Sequence, residues 1–231
     1  MRCIRAAVAA IAVLWVAMPG AAQCRAFEPG RDTAKVDNPW FPLKPGTTLV
    51  YTGVKDGRPA RDVVFVTDRT KTISGVRCVV VRDRLYSRGH LIERTSDYYA
   101  QDRRGTVWYL GEDTAELDAK GRVKSTEGTW HAGVDGARAG IFMPRHPRVG
   151  ETHRQEYYKG HAEDHFRVVS LHARVSVPYG MFRNALETRE WTPLEPGVLD
   201  AKRYARGIGE VSEESLKGGD ERLELVSVSD R

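Results

Sequence analysis

The chain has 231 residues, 36 Lys and Arg against 31 Asp and Glu, and a formal net charge of +5. The opposite charges are interleaved along the whole sequence without a basic block, which argues against nucleic acid as a partner. A chain of this length can bury a sizeable core without disulfides or metals, and its length fits one large domain as well as two small ones.

Residues 1–22 have the layout of a secretory signal peptide. Arg2 and Arg5 give a basic start, residues 6–18 are almost wholly apolar, and residues 19–22 end the segment with small side chains. The apolar run is shorter than the ~20 residues that a membrane-spanning helix needs. The sequence therefore predicts an exported protein, periplasmic or secreted, with no transmembrane segment once the signal is removed.

Two cysteines, Cys24 and Cys78, remain after the predicted cleavage. An even pair in an oxidising compartment favours one disulfide, which would join the mature N-terminus to a strand. Two alternatives stay open: lipidation of Cys24, for which the preceding Gln23 is a poor residue, and two free thiols.

Residues 23–46 are predicted to form an irregular arm, because four prolines interrupt them. Residues 47–231 show short extended runs broken by Gly-bearing turns, and no window keeps a helical apolar period. The predicted fold class is therefore all-β: a single antiparallel curved sheet, as a half-barrel, barrel or sandwich, with a long Gly/Pro-rich loop at 128–150. Strands are predicted at 47–52, 61–67, 76–85, 91–101, 106–110, 166–177, 184–192 and 222–228.

Four motifs occur in a recognisable order: NPWFPLKPGT at 38–47, VWYLGE at 107–112, VPYG at 177–180 and YARGIG at 204–209. In this order the chain resembles an uncharacterised group of exported bacterial β-rich proteins. The resemblance covers most of the mature chain and implies a curved sheet or half-barrel of the lipoprotein-carrier kind, with no implied activity. Glu210 departs from it, since a hydrophobic residue is expected there.

The segment ETHRQEYYKGHAEDHF at 151–166 is the sharpest local constellation. If Lys159-Gly160 is a two-residue hairpin loop, Glu156 lies directly opposite Glu163. Two opposed carboxylates repel unless a cation, a metal or a shared proton neutralises them. With side chains alternating along each strand, four further residues share this face: Arg154, Tyr158, His161 and His165.

This face is compatible with three kinds of site. A shared proton would make Glu156 and Glu163 a general acid and base, with His165 as a third catalytic group. A metal would take His161, His165 and Glu163, with Glu156 as a further ligand. Substrate or ligand binding would use Arg154 and Tyr158. The alternative is a solvated strand face, laced by Arg154 and Lys159.

Aromatic residues are the second group of candidates. Trp130 and its neighbour His131 lie in the Gly-rich segment, and Trp108 lies near a predicted turn, so these three are predicted to line a ligand pocket. Packing in the core is the alternative for the aromatic rings. Asp97 and Glu112 are predicted to be turn acids, and Glu190 to be a buried acid or an outward strand residue.

The first functional hypothesis is a binding protein for an apolar or glycan envelope ligand, with a small molecule, lipid or glycan as its partner. The second is a hydrolase or lyase that acts on an extracellular polymer through paired carboxylates and a His, with or without a metal. A structural subunit of the envelope is a third. No cofactor motif is present in the sequence.

Overall fold

The computed structural model describes residues 27–230. The predicted signal peptide and Cys24 lie outside these residues. Cys78 is fully buried and forms no disulfide with a described residue, and burial raises the pKa of its thiol to about 12. Within the described range no helix is long and apolar enough to cross a membrane.

The all-β prediction is confirmed: the protein is a large, curved antiparallel sheet that does not close into a barrel. Strands of alternating buried and exposed residues form it, as expected for a sheet with one face turned inward. The strands are β1 Val36–Asn38, β2 Phe41–Leu43, β3 Thr48–Lys55, β4 Arg58–Ile73, β5 Val76–Ser87, β6 His90–Gln101, β7 Val107–Leu117, β8 Val123–Ser125, β9 Trp130–His131, β10 Arg138–Met143, β11 Thr152–Arg154, β12 Glu156–Tyr157, β13 His165–Val177, β14 Gly180–Trp191, β15 Leu199–Ala205, β16 Gly209–Lys217 and β17 Arg222–Ser229.

Two meanders make up the sheet. Strands β3 to β7 pair in chain order, and so do β13 to β17. The meanders are joined in the middle of the sheet where β17 pairs with β3, with Leu223 opposite Gly53 and Ser229 opposite Thr48. We call this pairing the seam. This pairing makes the two meanders one continuous sheet, although its two strands are far apart in the sequence.

The two outer strands of the sheet are formed by neighbouring segments of the chain. Strand β11 pairs with β13 at one end, and β12 pairs with β10 at the other. Only Gln155 separates β11 from β12, so the sheet must curve until its ends are one residue apart. Gly140 on β10 permits this approach, because a Cβ there would lie 2.3 Å from the Gln155 carbonyl oxygen.

The predicted irregular arm contains a small hairpin, β1–β2, that covers one side of the sheet's interior. Asn38 is fully buried and anchors it. The Asn38 amide donates to the carbonyls of Gly105 and Met143 at 2.9 and 3.2 Å, and its Oδ1 accepts from the Trp40 backbone N–H at 2.9 Å. The hairpin places Phe41, Pro42 and Leu43 against the interior cavity.

The hydrophobic core consists of two clusters. One contains Trp40, Trp108, Trp130 and Phe166, and the other contains Leu49, Leu85, Val211 and Leu225. Members of both clusters line a cavity of about 480 Å³ inside the sheet. The cavity therefore lies where the two apolar clusters meet.

The structure extends the predicted strands and adds others. The 128–150 segment, predicted to be a loop, contains β9 and β10, which pair with β7. The sequence of this segment predicts a loop because the two strands are short and are separated by turns with positive φ at Gly133 and Gly136.

Candidate ligand-binding cavity

The interior cavity is rich in acids. Ten carboxyl groups and two lysines face it, together with one wall of aromatic rings. Nearly every long strand contributes, because the inward positions of the strands alternate with outward ones. The carboxyl groups belong to Asp62, Asp83, Glu93, Asp97, Glu112, Glu156, Asp164, Glu190, Glu210 and Glu213, and the lysines are Lys55 and Lys202.

Lys202 neutralises one group of these acids. Its Nζ lies 3.3 Å from Glu213, 3.7 Å from Glu190 and 3.9 Å from Glu210. Burial alone would lower the pKa of Lys202, but the three glutamates outweigh it and raise the pKa well above its ordinary value. Lys55 pairs with Glu221 at 3.0 Å, near the rim. Both lysines thus already have carboxylate partners.

The other seven acids lack a cation: Asp62, Asp83, Glu93, Asp97, Glu112, Glu156 and Asp164 form no ion pair with any described residue. Burial raises the pKa of Asp62 to about 6 and of Asp97 to about 7. It also raises the pKa of Glu112 well above its ordinary value, an effect that Asp97 reinforces. Asp62, Asp97 and Glu112 therefore hold their protons to a higher pH than exposed carboxyls do.

Asp62 and Asp83 lie on neighbouring strands within hydrogen-bond reach of each other. Burial, followed by the charge of Asp62, raises the pKa of Asp83 well above its ordinary value. When both are ionised, the buried Oδ1 of Asp62 has no hydrogen-bond donor among residues 27–230. Since an unsatisfied buried oxygen is costly, this position favours a proton or a donor brought by a ligand.

A β-bulge brings two cavity residues of β7 to the same side. Asp97 pairs with Glu112, and Tyr99 pairs with Tyr109, so two β7 residues oppose the single residue Tyr98. Tyr109 and Glu112 therefore both face the cavity although they are three positions apart. Gly111 allows the bulge, since its φ is +144° and a Cβ would lie 2.3 Å from the Trp130 carbonyl oxygen.

The aromatic wall stands beside this bulge. Tyr99 stacks on Tyr109 with ring centroids 4.8 Å apart, and Phe142 lies 4.9 Å from Tyr99 and 4.5 Å from Phe41. The Tyr109 hydroxyl donates to Asp97 Oδ1 at 2.6 Å. Aromatic faces and carboxylates therefore share one side of the cavity.

The predicted pairing of Glu156 with Glu163 is wrong by one residue. Tyr158 pairs with Ala162, which makes a three-residue loop in place of the two-residue one. Because a one-residue shift turns every side chain to the opposite face, Asp164 takes the predicted place of Glu163. Glu156 and Asp164 both line the cavity.

Glu156 is the one predicted catalytic residue in the cavity lining. Burial, followed by the charge of Asp164, raises the pKa of Glu156 to about 8. Its Oε2 accepts a hydrogen bond of 2.7 Å from Trp130 Nε1, which opposes that rise. Trp130 is therefore a support for Glu156 from the core, and its ring packs edge-on against Tyr109 at 5.5 Å.

Other predicted site residues lie outside the cavity, where each has a local partner. Glu163 accepts from the Gly160 backbone N–H at 2.8 Å, and His161 contacts Glu127 at 2.7 Å. His165 stacks on Trp191 and contacts Arg154, whose Nε lies 3.3 Å from the ring. Within residues 27–230 no three His, Cys, Asp or Glu side chains are arranged to hold a metal. The metal site of His161, His165 and Glu163 stays a prediction.

The remaining predicted pocket residues also lie elsewhere. Tyr158 stacks on the His161 ring at 4.4 Å. Trp108 is buried in the core and donates to Asp102 at 3.1 Å. His131 lies 2.9 Å from Asp113 on the other side of the sheet. The structure assigns these side chains packing contacts and leaves their predicted role in ligand binding untested.

Sequence reasoning missed most of the cavity acids. Asp97 and Glu112, predicted to be turn acids, lie inside β6 and β7, whereas Glu190 is the buried acid that was one of its two predicted alternatives. One pattern could have indicated the cavity acids. It is an acid at an inward position of a strand whose other inward residues are apolar. Asp62 with Val64 and Asp83 with Val81 are two such cases.

Comparison with known proteins gives little further information. No family model matches the chain, and no curated protein matches it. One solved structure, described as that of a "putative lipoprotein" from Parabacteroides distasonis ATCC 8503, is similar over 84% of this chain and 100% of its own, at 10% identity and a TM-score of 0.45. A likeness at this level carries no argument about ligand, activity or location.

Burial of Glu156 makes the free energy of unfolding depend on pH. We expect Glu156→Gln to raise the free energy of unfolding near pH 8 by up to about 5 kcal/mol and to leave it nearly unchanged near pH 4. The folded protein holds the Glu156 proton up to about pH 8, whereas an unfolded Glu loses it near pH ~4.3. Between these values the folded state binds more protons, so wild-type stability falls as pH rises. Urea unfolding at both pH values measures the difference.

Glu163→Gln is the matched control, since it changes the same side chain outside the cavity. We expect it to shift stability by about 0.5 kcal/mol or less at either pH. Equal pH dependence in wild type and Glu156→Gln would show that Glu156 does not carry the effect.

Proposed function

We propose that the protein is an exported binding protein whose cavity takes a small organic cation. The observation that carries the proposal is the group of seven cavity carboxyls that form no ion pair among the described residues. The export half rests on the basic start, apolar run and small-residue end of residues 1–22.

The charge of the cavity favours a cation over the apolar ligand that the aromatics alone predict. An apolar ligand would displace water from the carboxyls and leave them without partners, at a cost of several kcal/mol. A ligand with an amine or quaternary ammonium group would instead replace the protons that the carboxyls hold. Asp62, Asp97 and Glu112 are three such carboxyls, because burial raises the pKa of each.

The aromatic wall favours an organic cation over a bare metal ion. Alkylammonium groups are attracted to the faces of Tyr and Phe rings, by ~0.5–2 kcal/mol each. Tyr99, Tyr109 and Phe142 offer such rings next to Asp97. A cavity of about 480 Å³ is within the ordinary range for small-molecule sites.

Calorimetry with 1,4-diaminobutane, and with 1,4-butanediol as its uncharged analogue, tests the proposal. We expect the diamine to bind with release of protons, and about ten-fold more tightly near pH 8 than near pH 6, because the carboxyls with raised pKa give up protons to the ligand. Proton release is read from the dependence of the heat on buffer ionisation.

The variant Glu112→Gln should weaken diamine binding by about ten-fold, and Glu163→Gln should leave it unchanged. Equal binding of the diol and the diamine, or no binding of the diamine at either pH, would overturn the proposal. Tetramethylammonium as a third probe separates recognition by the rings from hydrogen bonding, since it carries charge without N–H donors.

A hydrolase or lyase is the second candidate, and one observation favours it. Glu156, with a pKa of about 8, lies beside Asp164 in the cavity, and two neighbouring carboxyls can act as general acid and base. Release of reducing ends or unsaturated ends from polysaccharides, abolished by Glu156→Gln, would support this function. Their absence over a broad panel of polysaccharides would remove it.

A further inference from the structure

The outer face of β4, β5 and β6 carries an unusual concentration of arginine. Arg84 on β5 lies directly opposite Arg94 on β6, and Arg82 lies two residues along the same strand. Like charges facing each other across strands are destabilising unless an anion lies between them. With Arg61 and the turn residue Arg88, the face has five arginines, and none of them forms an ion pair with any described residue. We call these five the arginine face.

A shallow groove of about 490 Å³ lies at one end of this face. Arg61, Tyr86 and Arg88 line it, together with Pro59. The Arg61 guanidinium lies 5.8 Å from the centre of the Tyr86 ring. The Arg88 backbone N–H donates to the Pro59 carbonyl at 3.1 Å, which fixes the turn next to Arg61. The groove lining thus combines an aromatic ring with two arginines that form no ion pair with a described residue.

This combination fits a polymer that is both acidic and made of sugar rings. Guanidinium groups bind carboxylates and sulfates through two parallel hydrogen bonds, and a Tyr ring offers a flat apolar surface for a sugar. Arg82 and Arg84 project ~7 Å apart along their strand, so successive anionic units can each contact one arginine. No exposed large apolar side chain belongs to β4, β5 or β6, which disfavours insertion into a membrane.

We propose that the arginine face and its groove bind an acidic polysaccharide. This site is on the opposite side of the sheet from the acidic cavity, because Arg82 and Arg84 alternate with the cavity residues Val81 and Asp83. Binding there is independent of the proposed cavity ligand, so either proposal can fail without the other.

Affinity electrophoresis in gels containing polygalacturonate tests the proposal. We expect wild type to be retarded at low salt and much less at about 0.5 M NaCl, since salt screens exposed charges. The double variant Arg84→Gln/Arg94→Gln should weaken binding by about ten-fold or more. It should also fold, because it removes a like-charge pair. The single variant Tyr86→Ala should also weaken binding relative to wild type, through loss of the sugar contact.

Arg174→Gln/Arg183→Gln is the matched control, because these arginines also face each other across two strands, on β13 and β14. It removes the same charge away from the groove and should change binding by less than about two-fold. The proposal is overturned if wild type is not retarded, if the two double variants weaken binding equally, or if Tyr86→Ala has no effect. Tighter binding to phosphatidylglycerol vesicles or to a DNA duplex than to polygalacturonate would also overturn it.

Discussion

Replacing Lys202 by Met is expected to lower the free energy of unfolding by about 3–5 kcal/mol near pH 8, since it leaves buried carboxylates without their cation. The Lys202 amine lies within 4 Å of Glu190, Glu210 and Glu213. Met matches the length of the lysine stem, so the packing change is small and the loss of charge dominates.

The cost of Lys202→Met should shrink as pH falls. Burial raises the pKa of Glu210 to about 8, although the charge of Lys202 lowers it. Near pH 5 the folded variant can protonate Glu210, and burial also raises the pKa of Glu190, so the repulsion between the carboxylates falls. Urea unfolding at the two pH values measures this.

Lys55→Met provides the control for this prediction. Lys55 is more exposed than Lys202 and pairs with the single acid Glu221 at 3.0 Å. We expect Lys55→Met to lower the free energy of unfolding by about 1 kcal/mol. Equal losses for Lys55→Met and Lys202→Met, or a loss for Lys202→Met that does not depend on pH, would contradict the role given to Lys202.

Gly53→Ala is expected to destabilise the protein by about 3 kcal/mol or more, at any pH. An added Cβ at Gly53 would lie 1.7 Å from the carbonyl oxygen of Arg222 and 2.8 Å from its carbonyl carbon. Both atoms belong to the backbone of β17, so no side chain can rotate away, and the two strands of the seam must separate.

Gly180→Ala is the control for Gly53→Ala. Gly180 also lies in a strand, but its nearest neighbour to an added Cβ is the tip of the Phe182 ring at 3.9 Å. We expect a change within about 0.5 kcal/mol. Thermal melts of both variants suffice, and similar melting temperatures would show that the seam tolerates a wider spacing.

Much of the fold could be predicted from the sequence because most strands have period-2 patterns and are separated by turns. The stretches predicted at 76–85 and 166–177 lie within β5 and β13, for example. Pairing across the seam could not be predicted, since nothing local links Gly53 to Leu223. The seam follows from the packing of the whole sheet.

The cavity was hidden by irregular pairing. A period-2 pattern puts Glu210 and Glu213 on opposite faces, yet both face Lys202, because the pairing of β15 with β16 shifts by one residue. Tyr109 and Glu112 behave in the same way on β7. The predicted pairing of the hairpin after Glu156 was wrong for a related reason, because its loop has three residues and not two. In each case one additional residue decides which side chain turns inward.

The seam also sets the order in which the protein can be assembled. As the chain emerges from the ribosome, β3 to β7 can pair with one another. The second partner of β3 is β17, the last strand described, which is synthesised much later. Pairing of such distant segments is slow and must follow synthesis of nearly the whole chain. Until then the outer edge of β3 has unpaired backbone N–H and C=O groups, and such an edge can pair with another chain.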